Sequence, residues 1–99
     1  MLKPREFINW IVSEFKAIDL RGGWIRIPLD KDHSMLLFRQ SIRREPHWMA
    51  NVNVYNLNGN RVLNKITDRE AFLIAHENEN GKEVLKKLVE VYKEKAKHF

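Results

Sequence analysis

A chain of 99 residues with 43% hydrophobic and 31% charged residues is long enough for one hydrophobic core, so we expect a single domain over residues 1–99. It has no cysteine, which excludes disulfides and thiol catalysis. It has no apolar run of about 18 residues, and its first residues, M-L-K-P-R-E, lack the apolar stretch of a secretory signal, so we expect a cytoplasmic protein without a membrane span. The net charge of +5 favours an anionic partner such as nucleic acid or a membrane surface, although a charge of this size also serves solubility alone.

The first predicted element is an amphipathic helix over about 4–20. Pro4 suits the first helical turn, and Gly22–Gly23 supply a stop signal. Apolar residues recur between them at the spacing of one helical face: Phe7, Ile8, Ile11, Phe15 and Ile18.

Two strands are expected to follow as a hairpin. Alternating apolar residues over 24–29 and 35–42 have the period of β-structure, and the segment Asp30–Ser34 between them is rich in turn residues. Because proline cannot donate a backbone hydrogen bond, Pro28 places the first of these strands at an edge of the sheet. The segment Arg43–Pro46 then breaks the alternation and is expected to link this hairpin to the next one.

The strongest local signal predicts a second hairpin. Alternation over 48–55 leads to Asn58–Gly59, which is typical of a tight hairpin turn, and then to Val62 and Leu63. One side of this hairpin is apolar and the other side is rich in amides.

Two helices are predicted after the second hairpin. Thr67 and Glu70 have the spacing of a capping box before the apolar run that ends at Ala75, which indicates a short helix. After Gly81, a terminal helix carries an apolar stripe formed by Leu85, Leu88, Val89, Tyr92, Ala96 and Phe99.

Together these elements predict an α+β fold. It has a four-stranded antiparallel sheet of two hairpins, with the amino-terminal helix and the two carboxy-terminal helices covering its apolar face.

The side chains that alternate with the apolar ones predict a binding surface on the sheet. Cations, amides and aromatic rings are expected to emerge together from one face, at Trp24, Arg26, Arg39, Asn51, Asn53 and Tyr55. Arg43 and Arg44 add a basic corner. Such a surface can stack bases and neutralise phosphates, which favours a non-enzymatic module that binds nucleic acid. An ordinary solvent-exposed face, or a surface that binds another protein, fits the same residues.

Catalysis is the minority hypothesis. The sequence has no HExxH motif, phosphate-binding loop or GxSxG turn, and we expect no cofactor. Asp30, Asp32 and His33 lie together and could hold a metal ion in a metal-dependent hydrolase, although loops of this composition are usually plain turns.

Self-association is a further alternative. Pro28 marks a predicted edge strand, and Trp10 lies at the margin of the apolar stripe of the first helix. An exposed apolar patch at these residues would favour a homodimer.

Two resemblances accompany these patterns. The α-β-β-β-β-α order resembles the double-stranded-RNA-binding domain, but the Lys93–Lys97 run closes the last helix here, whereas the basic run of that family opens its second helix. The short, cysteine-free, Lys- and Glu-rich chain also resembles small orphan proteins of hyperthermophilic archaeal filamentous viruses. That resemblance implies a thermostable protein that acts in virus–host interaction in the host cytoplasm, whereas nine asparagines count against heat adaptation.

Overall fold

A computed structural model of the chain describes residues 3–65 and 73–98. Within them the chain forms an antiparallel sheet and two helices, so the predicted α+β class is confirmed. The elements, in chain order, are α1 (Pro4–Phe15), β1 (Ile18–Arg21), β2 (Trp24–Pro28), β3 (His33–Ile42), β4 (Glu45–Asn56), β5 (Arg61–Lys65), β6 (Ala75–His76) and α2 (Glu79–Ala96).

The strands β1 to β5 form a continuous meander in sheet order β1-β2-β3-β4-β5. The two-residue strand β6 pairs with the first part of β4, and β5 pairs with its last part. The described residues therefore contain six strands where four were predicted. The predicted link over Arg43–Pro46 is also wrong, because Arg43 and Arg44 alone form the turn and β4 already begins at Glu45.

The first helix ends earlier than predicted. Lys16 adopts a left-handed conformation directly after Phe15, and after Ala17 the residues Ile18–Arg21 form β1 instead of the end of the predicted helix. The Arg21–Gly23 turn, in which all three residues have positive φ, folds β1 back onto β2. As a result β1 occupies the edge that the sequence had assigned to β2, and β2 pairs on both sides.

The segment before the last helix also differs from its prediction. Residues 67–72 of the predicted short helix lie outside the described residues, and Ala75 at its end belongs to β6. Asn78 caps α2 by accepting a hydrogen bond from the Gly81 N–H at 2.7 Å. Gly81 lies in the first turn of α2, where a Cβ atom would stand 1.6 Å from the His76 carbonyl oxygen, so a side chain has no room there.

Both helices pack on the same face of the sheet, which we call the core face. Phe7 and Ile11 of α1 and Leu85 and Leu88 of α2 are fully buried in one cluster with apolar residues of the strands. The Tyr92 hydroxyl donates to the Asn51 carbonyl oxygen at 2.9 Å, which ties α2 to β4. In the part of the chain that the structure describes, no helix is long and apolar enough to cross a membrane.

Candidate nucleic-acid interface

The strand register divides the sheet residues between two faces. Directly paired residues of an antiparallel sheet share a face, and successive residues alternate between faces. Ile25 pairs with Leu37, and Leu37 with Ala50, and all three are buried on the core face. The neighbouring row Trp24, Phe38 and Met49 therefore lies on the opposite face, which we call the outer face.

Aromatic rings lie side by side on the outer face. The Trp24 and Phe38 rings, on adjacent strands, have centroids 5.2 Å apart and an interplanar angle of 36°. Trp24 is 40% exposed although it is a large apolar residue. Tyr55 lies on the same face, because it pairs with Ser34 and Ser34 pairs with Pro28. The predicted placement of Trp24 and Tyr55 on one face is therefore confirmed.

Two arginines accompany these rings. Arg26 follows Trp24 by two residues on β2 and shares its face, as predicted. Its Nε atom is shielded from solvent, and among the described residues it has no hydrogen-bond partner. Arg61 pairs with Tyr55 across β4 and β5, so it projects from the same face, and it is exposed.

Arg39 does not join this surface, and the prediction that it shares a face with Trp24 is wrong. It pairs with Trp48, which is fully buried on the core face. Its guanidinium binds the Glu77 carboxylate through Nε and through Nη2, the latter at 3.3 Å, and Glu77 also accepts a hydrogen bond from Trp48 Nε1 at 3.1 Å. The hydrogen bond that Arg39 donates to Glu77 raises the pKa of Arg39 against the opposing effect of burial. Arg39 therefore neutralises a buried acid.

The two asparagines of the predicted surface stabilise an irregular part of β4. Between the pairs Leu37–Ala50 and Met35–Val54, β4 advances four residues while β3 advances two, which defines a bulge. The Asn51 side-chain oxygen accepts hydrogen bonds from the backbone N–H of Asn53 at 3.0 Å and from its Nδ2 at 2.9 Å. Asn53 is only 9% exposed, so this pair contributes local structure.

Arg43 and Arg44 form an exposed basic tip on the β3–β4 hairpin. Both have positive φ, 52° and 67°, as a tight two-residue turn of this kind requires. Asn-Gly suits such a turn, whereas a left-handed conformation costs a bulky residue about 1 to 3 kcal/mol. The chain thus presents two adjacent cations at the end of the sheet at the expense of stability.

In the loop that was proposed as catalytic, Asp30, Asp32 and His33 make hydrogen bonds that stabilise the loop itself. The Asp30 carboxylate accepts a hydrogen bond from the Asp32 backbone N–H at 2.7 Å and lies 3.0 Å from His33 Nδ1. Burial opposes ionisation of Asp30, but these partners outweigh it and lower its pKa. No group of three or more His, Asp or Glu side chains that could hold a metal ion occurs in residues 3–65 and 73–98. Asp30, Asp32 and His33 therefore lack the geometry of a metal centre.

The sequence patterns did not indicate three residues that belong to the outer face or bind Arg39: Phe38, Arg61 and Glu77. Phe38 and Arg61 can be found only through the strand register, which shows that they face the same side as Trp24 and Tyr55. Glu77 contacts Arg39 from 38 positions away along the chain, and no local pattern signals that contact.

Comparison of the chain with protein-family models, with curated proteins and with solved structures finds no match. A function can therefore be inferred only from the geometry of the outer face, and the resemblance to viral proteins stays a prediction.

Proposed function

We propose that this protein is a binding module that holds single-stranded nucleic acid on the outer face of its sheet. The observation that carries the proposal is the pair of adjacent rings, Trp24 and Phe38, on the face opposite the helices. Arg26 lies beside them, and its Nε has no hydrogen-bond partner among the described residues. Tyr55 and Arg61 repeat the combination of ring and cation on the same face.

The chemistry of the two residue types matches the two parts of a nucleotide. Stacking of a base on an aromatic side chain contributes about 1 to 3 kcal/mol and is available to every base. Each arginine can neutralise a phosphate and release a counterion, which makes the affinity depend on salt. The net charge of +5 adds a long-range attraction for the same polyanion.

The spacing of the rings favours a single strand over a duplex. From Trp24 to Pro28, whose row contains Tyr55, β2 rises by about 13 Å, and two strand spacings across the sheet add about 10 Å. A flexible strand can follow this diagonal with its bases turned onto the rings, whereas a duplex keeps its base faces stacked inside the helix.

The direct test is the affinity of a fluorescent 15-nucleotide single strand, measured by anisotropy at low salt. Trp24→Ala is expected to weaken binding by about 1 to 3 kcal/mol, or roughly 5- to 150-fold, because one stacking platform is lost. Trp24→Phe should retain most of the affinity, since a ring remains.

Ile18→Ala is the matched control for this test. Ile18 pairs with Arg26 on the same face and is 57% exposed, but it has no ring on which a base can stack. Its substitution is expected to leave the affinity within about twofold of the wild type, since exposed substitutions cost little. Equal losses for Trp24→Ala and Ile18→Ala would show that general apolar contact, and not stacking, causes binding.

A second candidate function is self-association through the same side of the molecule. The observation that favours it is the exposure of aliphatic side chains on and beside the outer face, with Ile18 at 57%, Leu20 at 42% and Ile42 at 44%. Burying these side chains against a second copy would remove apolar surface from water. Trp10, the other residue predicted to favour a dimer, is partly buried, and its ring packs against Phe7 and Phe15.

Sedimentation velocity distinguishes the two candidates. A monomer that binds the oligonucleotide supports the nucleic-acid proposal alone. A dimer that Ile18→Asp converts to a monomer, with no oligonucleotide bound by either form, would support self-association instead.

A further inference from the structure

A cavity of about 230 Å³ lies beside the ring-bearing part of the outer face, next to the loop between β2 and β3. Its walls include Arg26, Pro28 and Ser34 from the strands, Lys16 from the end of α1, and Asp30 from the loop. Pockets that enclose a whole drug-sized ligand measure about 300 to 1,000 Å³, so this cavity suits a smaller group.

The charges of the cavity favour an anion. Lys16 and Arg26 both line it, and in the described part of the chain neither has a carboxylate partner. Asp30 is the acid of the lining, but its carboxylate is already held by the Asp32 N–H and by His33. Two cations thus line the cavity beside one ionised carboxylate, so the balance of these charges is positive.

Arg26 supplies a second, independent indication. Its Nε is shielded from solvent without an acceptor among the described residues, and an unmade hydrogen bond of this kind costs about 1 to 3 kcal/mol. A change of the Arg26 rotamer that turns Nε toward an anionic oxygen in the cavity would remove that cost, and charge-assisted hydrogen bonds of arginine to phosphate are among the strongest in proteins.

We propose that this cavity binds the terminal phosphate of the nucleic-acid strand. The inference rests on the proposed function, because the same Arg26 lies two residues from Trp24 on the outer face. A terminal phosphate carries close to two negative charges at neutral pH, which matches the pair Lys16 and Arg26, whereas an internal phosphodiester carries one. The Ser34 hydroxyl and the Asn56 amide line the same cavity and can donate to the remaining oxygens.

In this arrangement the end of the strand is fixed twice. The terminal phosphate occupies the cavity, and the first bases lie on the neighbouring rings. The protein therefore prefers a strand with a phosphorylated end over the same strand with hydroxyl ends.

The test compares three 12-nucleotide strands of one sequence, with a 5′-phosphate, with a 3′-phosphate, or with hydroxyls at both ends. One phosphorylated strand is expected to bind at least about tenfold more tightly than the hydroxyl-ended strand. The strand that shows the preference identifies which end enters the cavity.

Lys16→Met should abolish this preference and leave the affinity for the hydroxyl-ended strand unchanged. Lys31→Met is the matched control, since Lys31 is exposed on the same loop as Asp30 and is not part of the cavity lining. Equal affinity for all three strands, or a preference that survives Lys16→Met, would overturn the inference while the proposed function stands. Failure of every strand to bind would overturn both.

Discussion

Arg26 and Arg39 are the same residue type in neighbouring strands of one sheet, and the two faces use them differently. On the core face, Arg39 binds the buried Glu77, which also accepts a hydrogen bond from Trp48. On the outer face, Arg26 has a shielded Nε without an acceptor among the described residues. A basic residue in a strand therefore indicates a binding surface only when no acid of the same chain already binds it.

The apolar residues of β3 show the same division. Leu37 is fully buried, whereas Leu36 and Phe38 on either side of it are only partly buried. The core face is completed by the helices, and the outer face keeps apolar and cationic side chains available to a ligand.

The largest change in stability is expected from a leucine on the core face, and its neighbour on the outer face is the control. Leu37→Ala should lower the free energy of unfolding by about 2 to 5 kcal/mol, because it opens a cavity in the core, and Leu36→Ala should cost about 1 kcal/mol or less. Urea denaturation monitored by circular dichroism measures both. Equal losses would contradict the assignment of the two residues to different faces.

A smaller loss is expected from Glu77→Gln. The change removes the charge that pairs with Arg39, and because Arg39 is 32% exposed we expect a cost of about 2 kcal/mol, less than for a fully buried pair. Glu83→Gln, which breaks an exposed pair with Lys86, is the control and should cost under about 0.5 kcal/mol. A loss at Glu77 no greater than at Glu83 would mean that the Arg39–Glu77 pair does not stabilise the fold.

The sequence predicted correctly those elements whose apolar residues fit either the helical or the strand period, but not both. The apolar stripes of α1 and α2 and the turn at Asn58–Gly59 are observed. It failed at Ile18–Arg21, because four residues of the form I-D-L-R satisfy both a helical and a strand pattern. Only the turn that follows, with its three positive φ angles, decides between the two.

The candidate site was predicted only in part, because the pattern of β3 is also compatible with two arrangements. Both sets of alternating residues in β3 contain apolar side chains, so hydrophobicity cannot show which set faces the helices. Pairing of Leu37 with Ile25 decides the question, and it moves Arg39 to the core face and Phe38 to the outer face. These are long-range facts that local composition does not contain.

The basic hairpin tip should show a gain in stability together with a loss of binding. Replacing Arg43–Arg44 by Asn-Gly should raise the free energy of unfolding by about 1 kcal/mol, because these residues suit the left-handed turn. The same variant should bind the 15-nucleotide strand more weakly, since two cations at the end of the sheet are lost. Higher stability with unchanged affinity would exclude the tip from the nucleic-acid surface.

The smallest expected change is in how stability depends on pH through the Asp30 carboxylate. Because the pKa of Asp30 is lowered in the folded state, its stabilising contribution is fully present above the unfolded pKa of about 3.9 and is lost as the pH falls through the folded value. Asp30→Asn should therefore lose less stability than the wild type between pH 5 and pH 3. The control is Asp32→Asn. This variant keeps the backbone N–H of residue 32 that donates to the Asp30 carboxylate, so its loss of stability in acid should match that of the wild type. Identical profiles for all three proteins would contradict the role of the Asp30 carboxylate.

We expect the outer face, and not the overall positive charge, to bind the nucleic acid. The most direct test is the dependence of oligonucleotide affinity on salt in the wild type, in Arg26→Gln and in Lys93→Gln. Both variants lose one positive charge, but Lys93 lies on the exposed side of α2. We predict that Arg26→Gln reduces the slope of log affinity against log salt by about 0.7, the value for one phosphate contact on a single strand, and that Lys93→Gln leaves it unchanged. Equal changes in the two variants, or none in Arg26→Gln, would contradict the assignment of nucleic-acid binding to the outer face.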